Sequence, residues 1–187
     1  MTIPNILTCI RVLLIPVFMI LAYRHTPGCD LAALIVYVVA CITDFVDGKL
    51  ARAWNQVTNF GKFMDPVADK LLVMAALLIF VEDGTIAAWM AAVILGREFL
   101  VSSLRMVAAA DGRVIAANYW GKAKTTITMI TLIFLLLRLD PVMLGPVSLQ
   151  TALIWLTVII TAISGATYII DNFDVVKDGF TQKGKGK

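Results

Sequence analysis

Between Asp44 and Asp69 the chain reads Asp44-Phe-Val-Asp47-Gly48-Lys-Leu-Ala51-Arg52, then eight residues, then Gly61-Lys-Phe-Met-Asp65-Pro-Val-Ala-Asp69-Lys70. Residues three or four apart share one face of a helix. Asp44, Asp47, Gly48, Ala51 and Arg52 therefore form one stripe, and Asp65 and Asp69 a second. Two helices joined by a short polar connection bring these stripes together, and four carboxylates gathered among apolar residues need a cation to hold them. Carboxylate oxygens suit hard ions such as Mg²⁺ or Mn²⁺, and neither His nor Cys falls within the motif to favour zinc. Such a clamp suits a ligand that carries phosphates. Gly48 and Gly61 let a flat or bulky ligand approach the helix backbone, and Arg52 offers a forked donor to a phosphate oxygen. A single aspartate would read as a helix cap or a solvated residue; four at this spacing do not.

Two further polar sets lie in apolar surroundings. Asn5, Thr8 and Arg11 recur every three residues at the start of the first apolar segment. For Arg11 the plainer alternative is snorkelling to an interface. Arg97, Arg105, Lys122 and Lys124 form a basic cluster in which the first two are flanked by apolar residues, and Glu98 is placed to hold one of them. Lys70 either neutralises Asp69 or Asp65 or takes a direct part.

The elements that position these groups are membrane helices. The chain has 187 residues, 60% of them hydrophobic, with a mean hydropathy of +0.88. That is far above the balance of a soluble domain. Six apolar segments run over about 5–24, 31–53, 61–81, 85–109, 121–138 and 147–170, each near the roughly 20 residues that span a bilayer. The second outlasts its apolar part and carries the aspartate motif out as one continuous helix. Gly84, Asp140-Pro141 and Gly145-Pro146 mark turns on the opposite side.

Lys49, Arg52, Lys62, Arg97, Arg105, Arg113, Lys122, Lys124, Lys177, Lys183, Lys185 and Lys187 fall on one side of these segments. Arg24 and Arg138 fall on the other, with Asp30, Glu82, Asp83 and Asp140. By the positive-inside rule both termini and the aspartates are cytoplasmic. Cys9, Cys29 and Cys41 form no CxxC and read as packing residues; His25, beside Arg24, reads as a loop residue. The first segment contains Arg11, lacks a small-residue cleavage site, and is expected to be retained.

The pattern Asp-x-x-Asp-Gly-x-x-Ala-Arg, eight residues, Gly-x-x-x-Asp-x-x-x-Asp resembles the signature of the CDP-alcohol phosphatidyltransferases at every fixed position. Ile3-Pro4-Asn5-Ile6-Leu7-Thr8 with Arg11, Asp65 to Lys70, Gly96-Arg97-Glu98-Phe99 with Ser102 to Arg105, and Gly121 to Thr125 resemble the phosphatidylglycerophosphate synthases within that family. The likeness extends to about Tyr168. It implies an all-α bundle of six transmembrane helices over residues 1–170, with a polar cavity at the cytoplasmic face of a bacterial-type inner membrane and a basic tail at 171–187.

It also implies transfer of the phosphatidyl group of CDP-diacylglycerol to an alcohol, with Mg²⁺ (or Mn²⁺) as one or two ions. Asp44, Asp47, Asp65 and Asp69 are the expected metal ligands, with Asp69 as the base; the residues alone do not separate it from Asp65. Asn5, Thr8, Arg11, Asp47, Gly48, Ala51, Arg52 and Gly61 would hold the nucleotide and its lipid. Arg97, Arg105, Lys122 and Lys124 fit a phosphorylated acceptor, which selects glycerol 3-phosphate and gives phosphatidylglycerophosphate and CMP. A homodimer is expected from the resemblance, and no nucleic acid as partner. Ala88, Ala92, Ala162 and Ala166 permit close helix packing, though packing within the chain explains them equally well. The alternatives are a relative with a serine, inositol phosphate or phosphatidylglycerol acceptor and, from another class, a divalent-cation transporter.

Overall fold

Runs of about 20 apolar residues, each interrupted by Gly, Pro or charge, become helices because only a helix satisfies every backbone group away from water. A computed structural model describes residues 3–53, 59–110, 115, 119–139, 143–144, 146–174 and 177; at 3–4, 45–53, 59–63, 65, 110 and 144 it describes the backbone alone. The helices are α1 (Ile3–Tyr23), α2 (Pro27–Ala53), α3 (Asn59–Glu82), α4 (Ala88–Ala110), α5 (Tyr119–Leu136) and α6 (Leu149–Asp171). They follow the six apolar segments closely. Pro27 opens α2 at a position where its missing N–H costs nothing, and α2 runs on through the aspartate motif without a break. Arg113, Asp140-Pro141, Gly145 and the lysines of the tail beyond residue 177 lie outside the described residues.

One short hairpin departs from the all-helical expectation. Strand β1 (Met143–Leu144) pairs antiparallel with β2 (Val147–Ser148), with Met143 opposite Ser148. Ser148 then caps α6, its Oγ accepting from the Thr151 N–H at 3.2 Å, which satisfies one of the helix's unpaired donors. At the end of α3, Gly84 takes a φ of 75°, and Ile86 N–H donates back to the Phe80 carbonyl at 2.9 Å. A turn at Gly84 was expected, and this is its geometry.

Among the described residues, three helices are long and apolar enough to cross a membrane by length and composition: α1 over Asn5–Tyr23, α2 over Pro27–Asp44, and α6. The charged residues within α3, α4 and α5 keep those helices below the same standard.

The chain divides into two compact units, residues 1–87 with 132–142, and residues 88–131 with 143–187. In the first, α1 packs on α2 and α3. Its buried stripe on α1 steps through Thr8, Arg11, Ile15, Phe18 and Ala22, the alternating three- and four-residue spacing of one helix face. Phe18 meets Tyr37 of α2 with ring centroids 5.6 Å apart. Arg138, just past α5, ties two other elements together: Nε lies 2.9 Å from Asp30 Oδ1 on α2 and Nη2 lies 3.3 Å from Asp83 Oδ2 after α3. Its φ of 45° is a left-handed conformation that costs a non-glycine residue roughly 1–2 kcal/mol, which these contacts offset.

In the second unit α4 packs on α6. The buried face of α6 carries Thr157, Thr161, Ser164 and Tyr168, and that of α5 carries Lys124, Thr128 and Thr131. Thr131 and Thr157 share a hydrogen bond of 2.8 Å. The pattern of burial thus differs from that of a soluble protein. Arg11 and Ser164 are wholly buried, whereas Leu13 is 71% and Ile170 72% exposed. Polar side chains share the interior with Phe18, Leu77, Phe80 and Ile94, while many large apolar ones face out, as a lipid surround allows. This is a membrane protein.

Candidate active site

In the first unit, the polar stripe of α1 faces the acidic stripe of α2. Asn5, Thr8 and Arg11 are all buried, and Arg11 Nη1 donates to Asp44 Oδ1 at 2.5 Å. Arg11 therefore does not snorkel; its charge is neutralised by the first aspartate of the motif. Asp69 of α3 acts electrostatically on Tyr37 and Cys41 of α2, and Cys41 is also within the influence of Asp44 and Arg11. The charges of the first and last aspartates thus both reach Cys41. Cys41, one turn before Asp44, lies outside the motif but beside the carboxylates; it is a free thiol.

Asp47, Gly48, Ala51 and Arg52 continue the α2 helix past Asp44, and Gly61 and Asp65 precede Asp69 on α3. The helical path thus puts each set on the face expected for it, while their side chains lie outside the described residues. Among the described residues no three acidic, His or Cys groups come together to hold a metal ion. Asp44 and Asp69, the two expected ligands that are described, are both partly exposed, and oxygen donors of this kind fit a hard divalent ion.

The second unit holds a network built on one carboxylate oxygen. Glu98 Oε1 accepts from Arg97 Nη1 at 2.9 Å and from Lys124 Nζ, on α5, at 2.6 Å. Arg97 Nη2 donates to Ser164 Oγ of α6 at 2.7 Å. About two turns further along α4, Arg105 Nε donates to the Tyr168 hydroxyl at 3.1 Å, and its guanidinium carbon lies 5.5 Å from the centre of that ring. Three of the four expected bases are therefore tied into polar contacts within this unit. Lys122 is exposed and outside the network. Glu98 holds two bases where one was expected.

Ser164 and Tyr168 were missed from the sequence. Their signal is the recurrence of hydroxyls at 157, 161, 164 and 168 in an otherwise apolar helix, a four-three-four step that marks one buried face.

Charges paired with one another inside apolar helices mark a membrane protein with a functional polar interior. The chain matches the CDP-alcohol phosphatidyltransferase model over residues 1–163, and it belongs to that family. It is 42% identical over 186 residues to a Bacillus subtilis (strain 168) protein named CDP-diacylglycerol–glycerol-3-phosphate 3-phosphatidyltransferase, covering 93% of this chain and 96% of that one. Proteins of the same name from Escherichia coli (strain K12) and Shigella boydii serotype 4 (strain Sb227) are each 43% identical over 141 residues, covering 73% of this chain and 77% of theirs.

Proposed function

We propose that this chain transfers the phosphatidyl group of CDP-diacylglycerol to glycerol 3-phosphate, yielding phosphatidylglycerophosphate and CMP. The observation that carries the choice of acceptor is the Arg97–Glu98–Lys124 network with Ser164. Bases fixed in a buried polar setting suit an acceptor that brings its own phosphate; a choline- or ethanolamine-type acceptor has no use for them. The names of the relatives above agree with it.

In this reading Asp44, Asp47, Asp65 and Asp69 hold one or two divalent ions, Mg²⁺ in preference to a softer metal. When bound, such an ion neutralises diphosphate charge and the charge that builds on departing CMP. Asn5, Thr8 and Arg11 line the nucleotide side, with Asp47, Gly48, Ala51, Arg52 and Gly61; Arg11 also keeps the Asp44 carboxylate oriented. Asp69 takes the proton from the 1-hydroxyl of glycerol 3-phosphate. The new bond joins that oxygen to the diacylglycerol-bearing phosphorus, and the bond to the CMP phosphate breaks. Arg97, Arg105, Lys122 and Lys124 bind the acceptor phosphate.

The same reading makes α3, α4 and α5 membrane spans, six in all over residues 1–170, with the aspartates and both termini cytoplasmic and the basic tail at 171–187 beyond the bundle. The grouping of Arg138 with Asp30 and Asp83, all assigned to the opposite side by charge, supports it. Ala88, Ala92, Ala162 and Ala166 are exposed, so packing within the chain does not account for them, which favours a homodimer.

The test is purified protein in detergent with CDP-diacylglycerol, Mg²⁺ and labelled glycerol 3-phosphate. Metal-dependent CMP release with label in lipid is the expected result. Transfer to serine or inositol phosphate instead would keep the chemistry and change the acceptor. No transfer to any alcohol, with Mg²⁺ flux into proteoliposomes, would return the chain to the transporter reading.

A further inference from the structure

The Arg97 guanidinium has five N–H donors in a fixed fork. Its Nη1 corner is held by Glu98 at 2.9 Å and its Nη2 corner by Ser164 at 2.7 Å. Nε is buried and has no hydrogen-bond partner among the described residues, in a side chain only 10% exposed. A buried donor of a charged group left unpaired costs free energy, so this edge is kept for something that arrives. The stem is seated as closely as the head. At Gly165 of α6 an added Cβ would come 3.2 Å from Arg97 Cγ; the missing side chain is the notch in which the arginine lies. Ser164 itself is wholly buried, and its Oγ is the atom that accepts from Arg97.

From this juxtaposition we infer that Ser164 and Gly165 form a seat on α6 that positions Arg97 for the acceptor's phosphate. Ser164 is a positioning residue for glycerol 3-phosphate binding. The inference rests on the acceptor reading above, since it names what holds Arg97 and not what Arg97 binds. A guanidinium already fixed at two corners loses little rotamer freedom when an anion reaches its third edge, which is how preorganisation raises affinity. A contact made equally to bound acceptor and transition state changes KM and leaves kcat alone.

The experiment is steady-state kinetics of Ser164→Ala, Arg97→Ala and the double variant in the full-length protein, varying each substrate in turn. Ser164→Ala is expected to raise the KM for glycerol 3-phosphate about tenfold, the worth of one hydrogen bond to a charged group. Neither kcat nor the KM for CDP-diacylglycerol changes. In the Arg97→Ala background the same substitution adds nothing, because its effect passes through Arg97. Ser164→Thr, which keeps the hydroxyl, retains the low KM. An unchanged KM in Ser164→Ala, a loss confined to kcat, or an equal effect in both backgrounds overturns the positioning role. If Arg97→Ala itself leaves the KM for glycerol 3-phosphate unchanged, the acceptor reading falls first. Should Ser164→Ala not yield folded protein, Gly165→Ala probes the seat from the stem side, with the same rise in KM expected and an unchanged KM overturning it.

Discussion

Arg11 on α1 and Asp44 on α2 are joined by an ion pair across 33 residues of chain, with the arginine wholly buried and the aspartate side chain 33% exposed. The pair links the nucleotide-side stripe to the first aspartate of the motif. Removing one partner leaves the other charged and poorly solvated. Arg11→Met is expected to destabilise the protein by about 2–3 kcal/mol, under the range for a fully buried pair because water still reaches Asp44. Thermal melting in detergent reads this, and Arg11→Met combined with Asp44→Asn should melt higher than Arg11→Met alone.

Asp69 is the proposed base. Asp69→Asn keeps the shape and removes the proton acceptor, so kcat should fall by about 10²–10⁴ with the melting temperature preserved. Activity within a few-fold of the parent would move the role to Asp65.

Chelation gives a third expectation. Protein stripped with EDTA should release no CMP, and added Mg²⁺ should restore the rate, with Zn²⁺ a poor substitute for an all-oxygen site. Full turnover after stripping would remove the metal from the proposal.

Arg138 provides a contrast. Its contacts with Asp30 and Asp83 join parts of the first unit far apart in sequence, and none of the three belongs to the proposed machinery. Arg138→Ala should cost about 1–3 kcal/mol of stability, between the worth of an exposed ion pair and the cost of breaking a buried one, while kcat and both KM values stay at parental levels. A shift in either KM with unchanged melting would contradict this division.

Most of the helical layout was legible, because about 20 apolar residues in a row have few other fates. The helical continuity of α2 through Asp44 to Arg52 was legible too, since no Gly-Pro pair or charge run interrupts it. The fate of Arg11 was not. A long cationic stem on the first turns of a membrane helix can reach an interface or a buried carboxylate, and the choice depends on where α2 passes. Ser164 was harder. A hydroxyl in an apolar helix readily bonds the carbonyl four residues back, as Thr167 does with Ile163 at 3.0 Å, so a lone serine signals nothing until its partner is known. Arg138 was assigned to a side by charge, but its partners came from residues 30 and 83, a pairing that no local pattern encodes.

The outward-facing apolar surface and the paired polar groups inside have a consequence for how this sequence is free to drift. At Leu13, Ile20 and Ile35, which are all more than half exposed, lipid asks only for an apolar surface, so leucine, isoleucine, valine or phenylalanine should exchange there with little effect. At Arg11, Arg97, Lys124 and Ser164 the neighbour is another polar group with a fixed geometry, and even a change that preserves volume removes a partner. Comparison of many such chains should therefore find the lipid-facing positions varied in identity but uniform in character, with the polar interior the stretch that stays spelled the same.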